Sequence, residues 1–133
     1  MRILCIGDSN TWGYVPGEDG VRTEKRWTKL LAEFRPNDTI IEEGLCGRTV
    51  TARDTILPVR CGIDTLPVLM LSHVPVDLVI IMLGTNDLKK QFNPSAKHIS
   101  SGIEEYIKYI KNPNLITGYK IPKILVVSPV PLR

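Results

Sequence analysis

Three short segments of this 133-residue chain hold residue types that can act on a carbonyl carbon. The first is Gly7-Asp8-Ser9-Asn10-Thr11-Trp12-Gly13. A serine between glycine and small polar residues at a strand end can serve as a nucleophile, and it is equally a common helix cap. The second, Gly44-Leu45-Cys46-Gly47-Arg48-Thr49, has two glycines, where a missing Cβ lets a backbone N–H approach a ligand or simply lets the chain turn. The third, Gly84-Thr85-Asn86-Asp87, offers an amide: the Asn86 NH₂ can donate to an oxyanion or satisfy nearby backbone groups. Taken singly, each segment leaves both readings open.

Cys46, beside Gly47, is a rival nucleophile. A reactive thiol needs a lowered pKa from a histidine, a cation or a helix N-terminus, and Arg48 is the one cation close to it in sequence. Cys46 is therefore expected to be idle, and Cys5 to lie in the core. With Cys61 these make three cysteines and no CxxC pair, which points to free thiols and implies no metal. No segment reads GxGxxG or GxxxxGK[ST], so phosphate and dinucleotide loops are excluded and no cofactor is expected.

The elements that would position these segments follow from hydropathy. Arg2 to Ile6, Thr39 to Glu43, Asp77 to Met82 and Lys123 to Ser128 are short apolar runs. Leu78-Val79-Ile80-Ile81-Met82 and Ile124-Leu125-Val126-Val127 do not alternate, which predicts buried parallel strands covered on both faces. Between the runs lie helical segments. The clearest opens at Asn93-Pro94 and places Ile99, Ile103, Tyr106, Ile107 and Ile110 on one stripe before ending near Asn112-Pro113. Trp27 to Phe34 and Ile63 to Ser72 are further helices, the latter expected to be interrupted by Pro67. Strand and helix alternate, which predicts a three-layer α/β/α sandwich with right-handed crossovers. Such a sheet collects function at the C-terminal edge of its strands, where all three segments fall.

Composition limits the alternatives. At 133 residues the chain is expected to be one domain, 1–133, with 43% hydrophobic and 23% charged residues, as an ordinary folded protein has. Its net charge of +3 is scattered, with no basic run longer than the two residues of Lys89-Lys90, which argues against nucleic acid as a partner. The first apolar run breaks at Gly7, too short for a signal peptide or a spanning helix of roughly 20 residues. A cytoplasmic protein without a membrane partner is the expectation.

In combination the three segments resemble a known family. GDSNTWG after the first strand, EEGLCGRT after the second and GTNDL after the third are similar in order and spacing to the first three blocks of the GDSL/SGNH serine hydrolases. Trp12 and the stretch VPVDLVIIMLGTNDL resemble the bacterial arylesterase and acyltransferase branch. The resemblance covers essentially the whole chain. It implies a flavodoxin-like parallel sheet and esterase or lipase-like acyl transfer, with a small-molecule ester as substrate. Ser9 would be the nucleophile and would contribute its own N–H to an oxyanion hole. Gly47 N–H and the Asn86 amide would supply the other donors, Trp12 and Tyr14 would line the substrate pocket, and Asp8 and Asp87 would position loops.

One block of that pattern is absent. The family activates its serine with a histidine from a DxxH block after a fifth strand, and no aspartate of this chain is followed three positions later by a histidine. The two histidines present, His73 before the third strand and His98 near the start of the Asn93 helix, are expected to be solvated or on helix surfaces. Loss of a triad member costs on the order of 10⁴ to 10⁶ in kcat, so the chain alone is expected to be nearly inactive. The resemblance further implies a domain that lacks the fifth strand and final helix, stopping at Pro129-Val130-Pro131-Leu132-Arg133. Either a fragment of a longer hydrolase, its terminal arginine fitting a trypsin-like cut, or a short binding or assembly module would explain this. The fourth strand would then be an exposed edge inclined to self-association.

Overall fold

The computed structural model describes residues 1–115 and 117–129; the terminal Val130-Pro131-Leu132-Arg133 expected to close the chain lies outside them. Four parallel strands, β1 (Arg2–Gly7), β2 (Thr39–Gly44), β3 (Leu78–Met82) and β4 (Lys123–Val126), form one sheet in the order β2-β1-β3-β4. The helices are α1 (Ser9–Trp12), α2 (Trp27–Phe34), α3 (Gly62–His73) and α4 (Ala96–Lys111), with 3₁₀ turns at Pro58–Arg60, Asn86–Leu88 and Lys90–Phe92.

The central strands explain the layering. Side chains alternate across a strand, so Leu4 and Ile6 of β1 and Val79 and Ile81 of β3 share one face. They pack there on Leu66 and Met70 of α3 and on Tyr106 and Ile110 of α4. Ile3, Cys5 and Ile80 face the other way, against Trp27 and Leu31 of α2. Both faces of β1 and β3 are thus covered, and their sequences are apolar without alternation. Each such fully buried side chain contributes about 1.5–3 kcal/mol relative to exposure.

The expectation of four buried strands holds for this central pair alone. β2 and β4 are the edges, and in β4 Leu125 is 48% and Val126 44% exposed. Among the described residues, the face of β4 that bears Leu125 looks into an open apolar groove of about 420 Å³. Trp27, Leu30, Leu31, Phe34, Ile80 and Val127 line it as well, with Arg35 the one charged residue among them.

Two helix predictions change. The cap of α4 is Ser95, whose hydroxyl accepts from His98 N–H at 3.1 Å. Asn93 instead adopts a left-handed conformation (φ 46°) that closes the preceding 3₁₀ turn, which leaves Pro94 ahead of the cap. Likewise α3 runs unbroken through Pro67. The proline removes one backbone hydrogen bond, and the burial of Leu66 and Met70 against the sheet holds the turn around it. No described helix is long and apolar enough to cross a membrane.

Candidate active site

Parallel pairing in register brings the ends of three strands together: Gly7 lies opposite Gly44 on one side and Met82 on the other. The loops that follow them are the three segments singled out above.

After β1 the chain turns directly into α1. Asp8 is the N-cap, and its carboxylate accepts from Asn10 N–H at 2.9 Å. Ser9 is the first helical residue and is half-buried. Asp8 itself is fully buried, which pushes its carboxyl pKa up; the Asn10 hydrogen bonds and the Arg48 charge act in the opposite direction. Gly44 permits this tight turn, because a Cβ there would stand 2.3 Å from Trp12 N.

After β2, Leu45 to Arg48 form a turn closed by Arg48 N–H donating to the Leu45 carbonyl at 2.9 Å. Gly47 has φ 82°, the left-handed value that its place in this turn requires. A second bond, Leu45 N–H to the Gly7 carbonyl at 3.1 Å, ties the turn to the end of β1. After β3, the Asn86 side chain donates through Nδ2 to the Arg48 carbonyl at 3.0 Å. The next residue, Asp87, is buried, and its carboxylate accepts from Val50 N–H at 2.8 and 3.0 Å.

Ser9, Gly47 and Asn86 therefore belong to one connected cluster at the sheet edge. Among the described residues, neither Ser9 N–H nor Gly47 N–H donates to a protein acceptor. One Asn86 amide hydrogen is engaged with Arg48 and its partner is left over. Three donors at one edge suit an acceptor that develops negative charge.

A cavity of about 390 Å³ opens beside Ser9, lined also by Asn10, Tyr14, Lys25, Arg26, Trp27 and Met82. Tyr14 is in the lining of this cavity. Trp12 is not in this lining: its ring stands under the Arg22 guanidinium, 5.7 Å from centroid to Cζ, and its carbonyl accepts from Arg22. The tryptophan of the cavity is Trp27, whose indole N–H donates to Thr11 Oγ1 at 3.2 Å. Nothing in the sequence separated the two, because Trp27 reaches the cavity from the start of α2, eighteen residues beyond Ser9 in the chain. The cavity wall is braced by Glu42. Its carboxylate receives Arg26, Thr28 and Arg22, and the Arg26 hydrogen bond above all holds its pKa down at about 2.

Cys46 is half-buried, and burial raises its thiol pKa despite the opposing influence of Arg60, a nearer cation than sequence proximity to Arg48 suggested. Cys5 is in the core, pushed up to about 12. His98 is exposed on α4 as expected. His73 is not simply solvated: it is partly buried at the end of α3, and its Nε2 lies 2.6 Å from Glu43 Oε1. Neither histidine lines the cavity beside Ser9. Among the described residues no group of three or more His, Cys, Asp or Glu side chains could hold a metal ion.

Residues 5–132 match the model of the GDSL-like lipase/acylhydrolase family. Among solved structures, the inhibitor-bound aryl esterase of M. smegmatis is 43% identical, with a TM-score of 0.89 over 98% of this chain and 65% of that one. Est24, a carbohydrate acetylesterase from Sinorhizobium meliloti, is 40% identical with the same TM-score and coverage. The chain thus spans about two thirds of the length of these structures. No curated protein is a significant match to it.

Proposed function

Because the chain belongs to the GDSL-like lipase/acylhydrolase family, we propose that it carries the nucleophile and oxyanion hole of a serine ester hydrolase. Ser9 Oγ attacks the ester carbonyl carbon and the hydroxyl proton passes to solvent base. The carbonyl oxygen takes the negative charge and is met by Ser9 N–H, Gly47 N–H and the Asn86 amide. Collapse of the tetrahedral species breaks the bond to the alcohol oxygen, and water or another acceptor then releases the acyl group from Ser9. The observation that carries this reading is the bonded chain from Gly7 through Leu45 and Arg48 to Asn86, which gathers the three donors at one edge. The arylesterase and carbohydrate acetylesterase similarities favour small esters as substrates, with Tyr14 and Trp27 as the apolar wall of the cavity.

Neither histidine stands beside Ser9, so the 133 residues alone turn esters over slowly. This same observation favours a second reading, a non-catalytic binding or assembly module, for which the exposed groove between α2 and β4 would serve self-association in the cytoplasm. Ester turnover by the purified chain, measured beside Ser9→Ala, separates the two. A slow rate abolished in Ser9→Ala supports the hydrolase; a rate equal in both rejects it.

A further inference from the structure

Arg48 is 4% exposed, and among the described residues it pairs with no carboxylate. A buried unpaired cation is costly, so its placement calls for a physical reason. Its Nη1 donates to two carbonyls, Gly7 at 3.2 Å and Glu43. Gly7 is the last residue of β1 before the Ser9 turn, and Glu43 the penultimate residue of β2 before the Gly47 turn. The main chain of Arg48 completes the set: its N–H closes the turn containing Gly47, and its carbonyl receives the Asn86 amide at 3.0 Å. One residue thus touches all three loops, and it does so from beneath the site, outside the lining of the cavity. Burial lowers the Arg48 pKa from a starting value so high that the guanidinium stays charged.

We propose that Arg48 is the positioning residue of the oxyanion hole, its guanidinium locking the ends of β1 and β2 so that Ser9, Gly47 and Asn86 present their donors to one point. This rests on the reading of those three as the hole. A residue that only stabilised the fold would, when changed, loosen the whole molecule in proportion. A positioning residue loosens the loops first.

Amide hydrogen exchange distinguishes these in Arg48→Met, which keeps the apolar stem and removes both donors. Exchange at Leu45 N–H, which bonds to the Gly7 carbonyl, should rise about tenfold or more while β3 amides change little. In Arg48→Lys, which retains charge and a donor, the rise should be smaller; if the methionine variant does not fold, the lysine variant alone carries the comparison. Equal changes at Leu45 and β3, or none at Leu45, would overturn the proposal. Fluorophosphonate labelling of Ser9 supplies the second readout: the inactivation rate constant should fall at least about tenfold in Arg48→Met with reagent affinity unchanged, and recover partly in Arg48→Lys. An unchanged rate constant would also overturn it. Absence of labelling in the unsubstituted chain counts against Ser9 as nucleophile instead, and the exchange result then decides the role of Arg48.

Discussion

The Asn86 side-chain amide donates to the Arg48 carbonyl across 3.0 Å, joining loops that lie thirty-eight residues apart in the chain. That bond fixes the carboxamide plane with one Nδ2 hydrogen occupied and the other available. Replacing Asn86 with alanine removes the proposed donor and its anchor together. Labelling of Ser9 by a fluorophosphonate should slow by roughly 10² to 10³, the range for losing one oxyanion-hole donor. Asn86→Asp, with no N–H to donate, should be no better.

Asp87 accepts from Val50 N–H at 2.8 and 3.0 Å in a buried setting, and more distantly from Thr51 and Ala52. Asp87→Ala leaves the Val50 N–H without its acceptor, at a cost of about 1–3 kcal/mol. Urea unfolding should register that loss, with Asp87→Asn falling between the alanine variant and the unsubstituted chain.

Hydropathy made the middle of the fold legible. Of the two non-alternating runs, that of β3 is buried on both faces, as is the short run of β1 beside it, and Trp27–Phe34 is helical over its expected span. It could not tell edge from centre, since Ile124-Leu125-Val126 of β4 is as apolar as Val79-Ile80-Ile81 of β3 yet half-exposed. Local cap signals misplaced the start of α4 because Asn93 and Ser95 both suit a cap, and only the chain's path into the helix selects the serine. At the candidate site, the placement of Ser9, Gly47 and Asn86 in the loops after β1, β2 and β3 was legible from the strand ends, whereas the roles proposed for them came from the family resemblance. The long-range contributions of Trp27, Glu42 and Arg48 were not, because they depend on which strands become neighbours.

Glu42 predicts an acid limit. Its pKa falls from 4.5 in the unfolded chain to about 2 when folded, chiefly through the Arg26 hydrogen bond. A lowered carboxylate pKa means that the unfolded state binds the proton more readily. The stabilisation is therefore complete above pH 4.5 and is lost as pH falls toward 2. Thermal unfolding followed between pH 6 and pH 2 should show a steeper acid decline than in Glu42→Gln. Parallel profiles would contradict the assignment.

Cys46 stands beside a proposed donor but is not expected to act. With its thiol pKa raised by burial, it stays protonated near neutral pH. Cys46→Ser should leave the rate of Ser9 labelling within about twofold, and iodoacetamide should modify Cys46 more slowly than a free cysteine of pKa about 8.5.

Ser9 is the proposed acceptor of an acyl or phosphonyl group, and the most direct measurement of that role is the site and pH dependence of fluorophosphonate labelling, located by peptide mass. One adduct on the Ser9 peptide, absent from Ser9→Ala and forming faster as pH rises from 7 to 9 without a histidine-like plateau, is the predicted result. Equal labelling of Ser9→Ala, or no adduct on Ser9 at any pH, would contradict it.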